Sequence, residues 1–156
     1  GLNYSFFGRN PRQGHKVPPF RLNCHVYSCM LILNELPHEW RGRYNEDTDL
    51  SLRILKDGWC TILFNAFLCS KTPTLLMRGG NSETLYKADG RLQMAESLRD
   101  QHPDVVRVVR KFQRWQHHVN YAAFKNNKLI LKQGLNIKDE IKNYGMILNR
   151  APVRGG

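Results

Sequence analysis

The chain has 156 residues, 41% hydrophobic and 24% charged, a composition that suits one soluble, folded domain rather than a disordered chain. No apolar run reaches the roughly 18 residues that a membrane-spanning helix needs, so no membrane partner is expected. Lys and Arg number 24 against 13 Asp and Glu, for a net charge of +11. A surface this basic either attracts polyanions, nucleic acid first among them, or is a plain solvated face.

The sequence opens at Gly1, directly in a motif-like stretch and without a basic-then-apolar leader. It therefore reads as part of a longer protein working in the cytoplasm. In such a reducing compartment Cys24, Cys29, Cys60 and Cys69 are expected as buried thiols rather than disulfides. Cys24, His25 and Cys29 lack paired zinc-ligand spacing.

In chain order, residues 4–7 read as a short strand and residues 8–19, rich in Gly and Pro, as a loop. Residues 26–33 form an apolar run that periodicity leaves open between strand and buried helix. Residues 40–44 are a basic, aromatic connector. Residues 46–57 predict the clearest helix: Leu50, Leu52, Ile54 and Leu55 make its apolar stripe, and Glu46, Asp47 and Asp49 load its first turn. Asp49 and Arg53, four apart, are expected to pair on the other side, and Gly58 to stop the helix. Residues 59–68 predict a buried strand. An extended piece at 72–77 and a turn at 78–81 follow. Residues 91–101 predict a helix with Leu92, Ala95 and Leu98 on one side, ended by His102-Pro103. Residues 104–112 stay open between helix and strand, and 114–121 are polar, aromatic and His-bearing. A short strand at 129–132, a short helix at 137–144 and a loose end at 150–156 complete the chain. Helix followed directly by strand points to an α/β layered fold.

Three carboxylates in four positions, at a loop-to-helix junction, are explained in the first instance by the helix dipole. The wider pattern changes that reading. Glu46-Asp47-x-Asp49-Leu50-x-x-Arg53, with Gly58-Trp59 after it, resembles the helix bearing the acidic base motif of type A-fold glycosyltransferases. By that resemblance Asp47 is the general base that takes the acceptor's proton, and Glu46 buttresses the loop or meets the acceptor. Enzymes of this type usually end their catalytic core with a histidine ligating a divalent metal, Mn or Mg; His117 or His118 would be that residue.

The resemblance narrows further. Residues 1–7, 19–23, 44–67, then Gly79-Gly80-Asn81, then 101–106 and 114–121 are similar, in order and spacing, to the TET-associated glycosyltransferase domain, a family found largely in bacteriophages. It implies an α/β fold, the C-terminal half of a Rossmann-like type A fold with a mixed sheet. Residues 1–125 would form the acceptor-side catalytic part and residues 126–156 an extension of the same domain. It also implies transfer from a nucleotide sugar to hydroxymethylated pyrimidines of phage DNA, in the host cytoplasm, with inversion following from an acidic base. Asn45, Arg43, Gly79, Gly80, Asn81, Arg114 and Trp115 are the candidate substrate contacts. The family's donor-binding Asp-x-Asp would lie upstream of Gly1, so this portion by itself is expected to be inactive; Asp47-Thr48-Asp49 sits inside the base helix and is not assigned that role. Two other readings compete: a non-catalytic nucleic-acid module using Arg107, Arg110, Lys111, Arg114 and Trp115, and a glycosyltransferase acting on glycan or protein.

Overall fold

The computed structural model describes residues 1–5, 18–27, 29–70 and 90–130. The extended piece at 72–77, the turn with Gly79, Gly80 and Asn81, the helix at 137–144 and the chain end lie outside the described residues, as do most of the loop at 8–19 and of the extension from 126.

The described elements are β1 (Leu2–Tyr4), β2 (Phe20–Leu22), α1 (Glu46–Lys56), β3 (Ile62–Cys69), α2 (Gly90–Gln101), β4 (Val106–Lys111) and β5 (Arg114–Val119), followed by a 3-10 turn, Tyr121–Phe124. The first three strands form a sheet in the order β1-β3-β2. β1 runs parallel to β3 and β2 antiparallel to it, so the sheet is mixed and the fold is α/β. β4 and β5 form a separate antiparallel hairpin, with Val108 opposite His117 and Arg110 opposite Trp115.

α1 forms where its stripe predicts, and its Leu50, Leu52, Ile54 and Leu55 are all buried. Each such aliphatic side chain contributes about 1.5–3 kcal/mol by leaving water. Asn45 precedes the helix in the left-handed region (φ 53°) and provides no side-chain cap. The acidic first turn compensates the helix dipole instead. At the other end Gly58 takes φ 84°, where a side chain would be strained. Its N–H donates to the Leu55 carbonyl and the Trp59 N–H to that of Ile54, which closes the helix as a Schellman motif. Asn127 then donates from Nδ2 to the carbonyls of Leu55 and Trp59 (2.7 and 2.8 Å).

The core joins both helices to the hairpin: Leu52, Leu55, Leu98, Val105, Val106 and Phe124 cluster, with Val119 and Tyr121 packed against them. α2 begins one residue ahead of its expected start, with Ala95 and Leu98 buried as predicted.

Five expectations need correction. Residues 26–33 are neither strand nor helix; the described ones form an irregular segment in which Val26 is buried and Leu31 exposed. The predicted buried strand lies at Ile62–Cys69, and only Leu63 of it is buried, because no described helix packs extensively on the β1-β3-β2 sheet. The cysteines are not buried either: Cys24, Cys60 and Cys69 are half-buried and Cys29 is exposed, since they sit in the irregular segment and at the ends of that uncovered strand. Finally, the first strand is Leu2–Tyr4 rather than 4–7, and residues 129–130 are not a strand. The open segments at 104–112 and 114–121 resolve as the hairpin strands β4 and β5.

Candidate active site

Asp47 sits in the first turn of α1, two-thirds shielded from water, with its side chain 29% exposed. Its Oδ1 accepts from the Thr48 N–H at 2.6 Å and from Thr48 Oγ1 at 3.2 Å. Its Oδ2 lies 3.3 Å from His25 Nε2, which is also 3.1 Å from Thr48 Oγ1. Burial alone would raise the Asp47 carboxyl, but the His25 contact and the two Thr48 bonds outweigh it and hold the group below its usual value. Asp47 is therefore a carboxylate at neutral pH, held in one orientation by three donors. That is what a general base on an acceptor hydroxyl requires.

Two cavities flank the pair. The first, about 290 Å³, is lined by Asn45, Arg91, Met94, Trp115, Gln116 and His117, among others. The second, about 500 Å³, includes Asn3, Arg21, His25, Tyr27, Asn65 and Tyr121 in its walls. Asp47 couples to one wall of each: directly to His25, and through space to His117. Burial pushes the His117 imidazole below its ordinary value, and the charges of His25 and His118 act in the same direction, against the pull of Asp47. His117 is thus neutral at neutral pH, the form that ligates a metal. Strand alternation puts the two candidate histidines on opposite faces. His117 shares a hairpin face with Trp115 and Val119 and lines the first cavity, whereas His118 is exposed on the opposite face beside Arg107. Among the described residues no three His, Cys, Asp or Glu side chains converge as a metal site needs. These residues therefore do not hold a divalent ion by themselves.

The other candidates fall in three groups. Asn45 and Trp115 line the first cavity; the Asn45 amide donates to the Met94 carbonyl at 2.9 Å and so ties α1 to α2, while Arg110 stands 5.9 Å from the Trp115 ring. Glu46, Arg43 and Arg114 are exposed, with Arg43 over the Tyr44 ring at 5.9 Å and Arg114 paired with Lys111 near the hairpin turn. Gly79, Gly80 and Asn81 lie outside the described residues.

Asp49, whose letter matches the donor motif, has a different place. It is 1% exposed and takes its Oδ1 to Arg41 Nη2 (2.9 Å) and His102 Nε2 (2.8 Å), and its Oδ2 to Arg41 Nε (3.0 Å) and Arg53 Nε (2.9 Å). The expected pairing with Arg53 is present, but on a buried face rather than a solvent one. The carboxylate clamps the connector, α1 and the end of α2 together.

Sequence reasoning missed His25 and Arg41 as members of these clusters. His25 is 22 residues from Asp47 and sits in a segment of undecided structure, so only its proximity in space reveals it.

A family model described as TET-Associated Glycosyltransferase matches residues 3–80. That stretch is half of the chain and carries β1, the His25 segment, the whole of α1 and β3. Comparison with curated proteins and with solved structures finds no match. The buttressed carboxylate at the head of α1 and the matched stretch around it agree, and the chain belongs to the TET-associated glycosyltransferase family.

Proposed function

We propose that the protein moves a sugar from a nucleotide-sugar donor to the hydroxyl of a hydroxymethylated pyrimidine in phage DNA, with Asp47 as the base and inversion at the anomeric carbon. The observation that carries this reading is the Asp47 carboxylate, ionised and fixed by His25 and Thr48 between two cavities. As the acceptor oxygen bonds to the anomeric carbon, its proton passes to Asp47. The bond from that carbon to the diphosphate oxygen breaks, and the diphosphate leaves with the electron pair. An acid side chain used as a base rather than as a nucleophile implies one displacement, hence inversion.

The first cavity, with His117 and Trp115, would face the donor, and a manganese or magnesium ion would travel with the donor's diphosphate. Support for a DNA acceptor comes from charge. Arg107, Lys111 and Arg114 alternate onto one exposed face of the hairpin together with His118, and phosphates suit such a face.

The test is a transfer assay with the full-length protein, hydroxymethylated duplex DNA, manganese and a panel of nucleotide sugars. Asp47→Asn is expected to lower the rate by about 10²–10⁴. Equal rates for wild type and variant would remove Asp47 as the base. The same basic hairpin face supports a second reading, a non-catalytic nucleic-acid module. Under it, salt-sensitive DNA binding falls on replacing Arg107, Lys111 and Arg114, no sugar is transferred, and Asp47→Asn changes nothing.

A further inference from the structure

The larger cavity is built more carefully than packing requires. One wall is a closed chain of hydrogen bonds: Tyr27 Oη donates to Asn3 Oδ1 (2.8 Å), Asn3 Nδ2 to Asn65 Oδ1 (2.8 Å), and Asn65 Nδ2 to the Pro18 carbonyl (2.8 Å). These side chains have one arrangement available and hold the Tyr27 ring in place. The ring is further flanked by Tyr4 and His25, with centroids 4.6 and 4.8 Å away.

The remaining groups are not used in this way. Tyr121 Oη is buried and has no hydrogen-bond partner among the described residues. A stranded hydroxyl is destabilising unless a ligand or water satisfies it. Arg21, on β2, lines the cavity with an exposed side chain and makes no ion pair among the described residues. Its positive charge acts on both Tyr27 and Cys24, two other residues of the same lining. His25, bonded to Asp47, also forms part of the lining.

The cavity therefore combines aromatic walls, an unsatisfied phenol, one cation and the base pair Asp47–His25. A volume of about 500 Å³ is within the range of small-ligand sites. Aromatic rings suit the face of a heterocycle, and an unpaired arginine suits a phosphate. We propose that this cavity holds the acceptor as a single nucleotide turned out of its strand, with the base against Tyr27 and Tyr121, the phosphate at Arg21 and the exocyclic hydroxyl directed to Asp47–His25. A 5-hydroxymethyl group already projects into the major groove, so extrusion here serves to enclose the base in a pocket sized for one nucleotide, as other base-modifying enzymes do. The assignment to acceptor rather than donor rests on the reading of Asp47 as the base.

The experiment is an NMR titration of the isotope-labelled chain with 5-hydroxymethyl-2′-deoxycytidine 5′-monophosphate. The parallel arms are the corresponding nucleoside and UDP-glucose. The mononucleotide is expected to shift signals of Asn3, Cys24, Tyr27 and Asn65. Tyr121→Phe and Arg21→Gln should each weaken binding about tenfold, the loss of one good hydrogen bond or ion contact, and Arg21→Gln should also erase the preference for monophosphate over nucleoside. Tyr121→Phe keeps the ring and Arg21 is exposed, so both variants retain the fold, as the dispersion of their own spectra checks. The inference is overturned if the mononucleotide shifts nothing at millimolar concentration, if both variants bind as wild type does, if the shifts fall on Asn45, Trp115 and His117, or if UDP-glucose displaces the mononucleotide. The transfer assay fails separately. Binding in the cavity without sugar transfer sinks the catalytic reading and leaves the pocket; transfer with unmoved cavity signals does the reverse.

Discussion

Replacing Asp49 with Asn tests whether the acidic helix is held by a buried ionic clamp. Asp49 is 1% exposed and His102 2% exposed, whereas Arg41 is half open to solvent. Asn keeps the shape but loses the charge, and its amide nitrogen must face a donor from His102 or an arginine. His102 Nε2 can accept that amide only if the ring proton moves to Nδ1, which is buried without a partner among the described residues, so the adjustment strands a donor. Removing one partner of a buried ion pair costs about 3–5 kcal/mol, and at this chain size that lowers Tm by about 6–20 °C. Thermal unfolding followed by circular dichroism, with urea midpoints at unchanged slope, measures it. Asp57→Asn is the control: its partner His38 is at 2.7 Å, but Asp57 is 46% exposed, and such a pair contributes at most about 1 kcal/mol. A Tm for Asp49→Asn no lower than that of the control would refute the clamp. The pH dependence gives a second reading of the same cluster. Burial, against the pull of Asp49, leaves the folded His102 with a lowered pKa. The unfolded chain therefore takes up a proton first, and stability present above about pH 6.5 erodes as pH falls below it. Burial opposes but its partners prevail at Asp49, which is also held low, so its contribution is present above about pH 4 and lost as pH falls through its folded value. Stability should decline in these two stages in wild type, and the second should shrink in Asp49→Asn.

Further outcomes follow from single contacts. Asn127→Ala removes the donor that the Leu55 and Trp59 carbonyls share, leaving Leu55 only the Gly58 N–H, and should cost about 1–3 kcal/mol, read by urea unfolding. Gly58→Ala meets no atom within 4 Å, so its cost is backbone strain alone, about 1–2 kcal/mol at φ 84°. His25→Phe removes a principal hydrogen-bond partner of Asp47; the acid limb of the transfer rate should move to higher pH, and an unchanged limb would show that His25 does not tune the base. A chelator should abolish transfer and manganese or magnesium restore it; full activity with the metal removed refutes the proposed dependence.

Much of α1 was legible without coordinates. A stripe of four aliphatic residues, an acidic first turn and a glycine stop are all written within thirteen positions, so local rules suffice. The same holds for α2, and the hairpin strands were at least bounded. The candidate base was legible for the same reason: Asp47 lies inside a contiguous pattern. The structure also separates the parts of that pattern by role. Arg53 and Asp49 belong to the clamp, Gly58 and Trp59 close the helix, and Asp47 contacts the cavity-lining His25.

What sets the surroundings of Asp47 was not legible. Its partner His25 comes from an irregular segment with no periodicity, and although His117 stood out as a candidate, nothing in the spacing told where it or Tyr121 would lie. Residues so far apart in sequence meet only because α1, α2 and the hairpin pack on one core of Leu52, Leu55, Leu98 and Val106. The exposure of β3 and of Cys29 was misread for the related reason that hydrophobic composition states what a strand could bury, not what lies on top of it. The sequence by itself determined the base helix, its ends and the basic balance of the chain. Tertiary packing decided that Asp49 is buried, that His117 and not His118 lines a cavity, and that Asp47 is held by His25, because each of these depends on which distant surface closes over the helix.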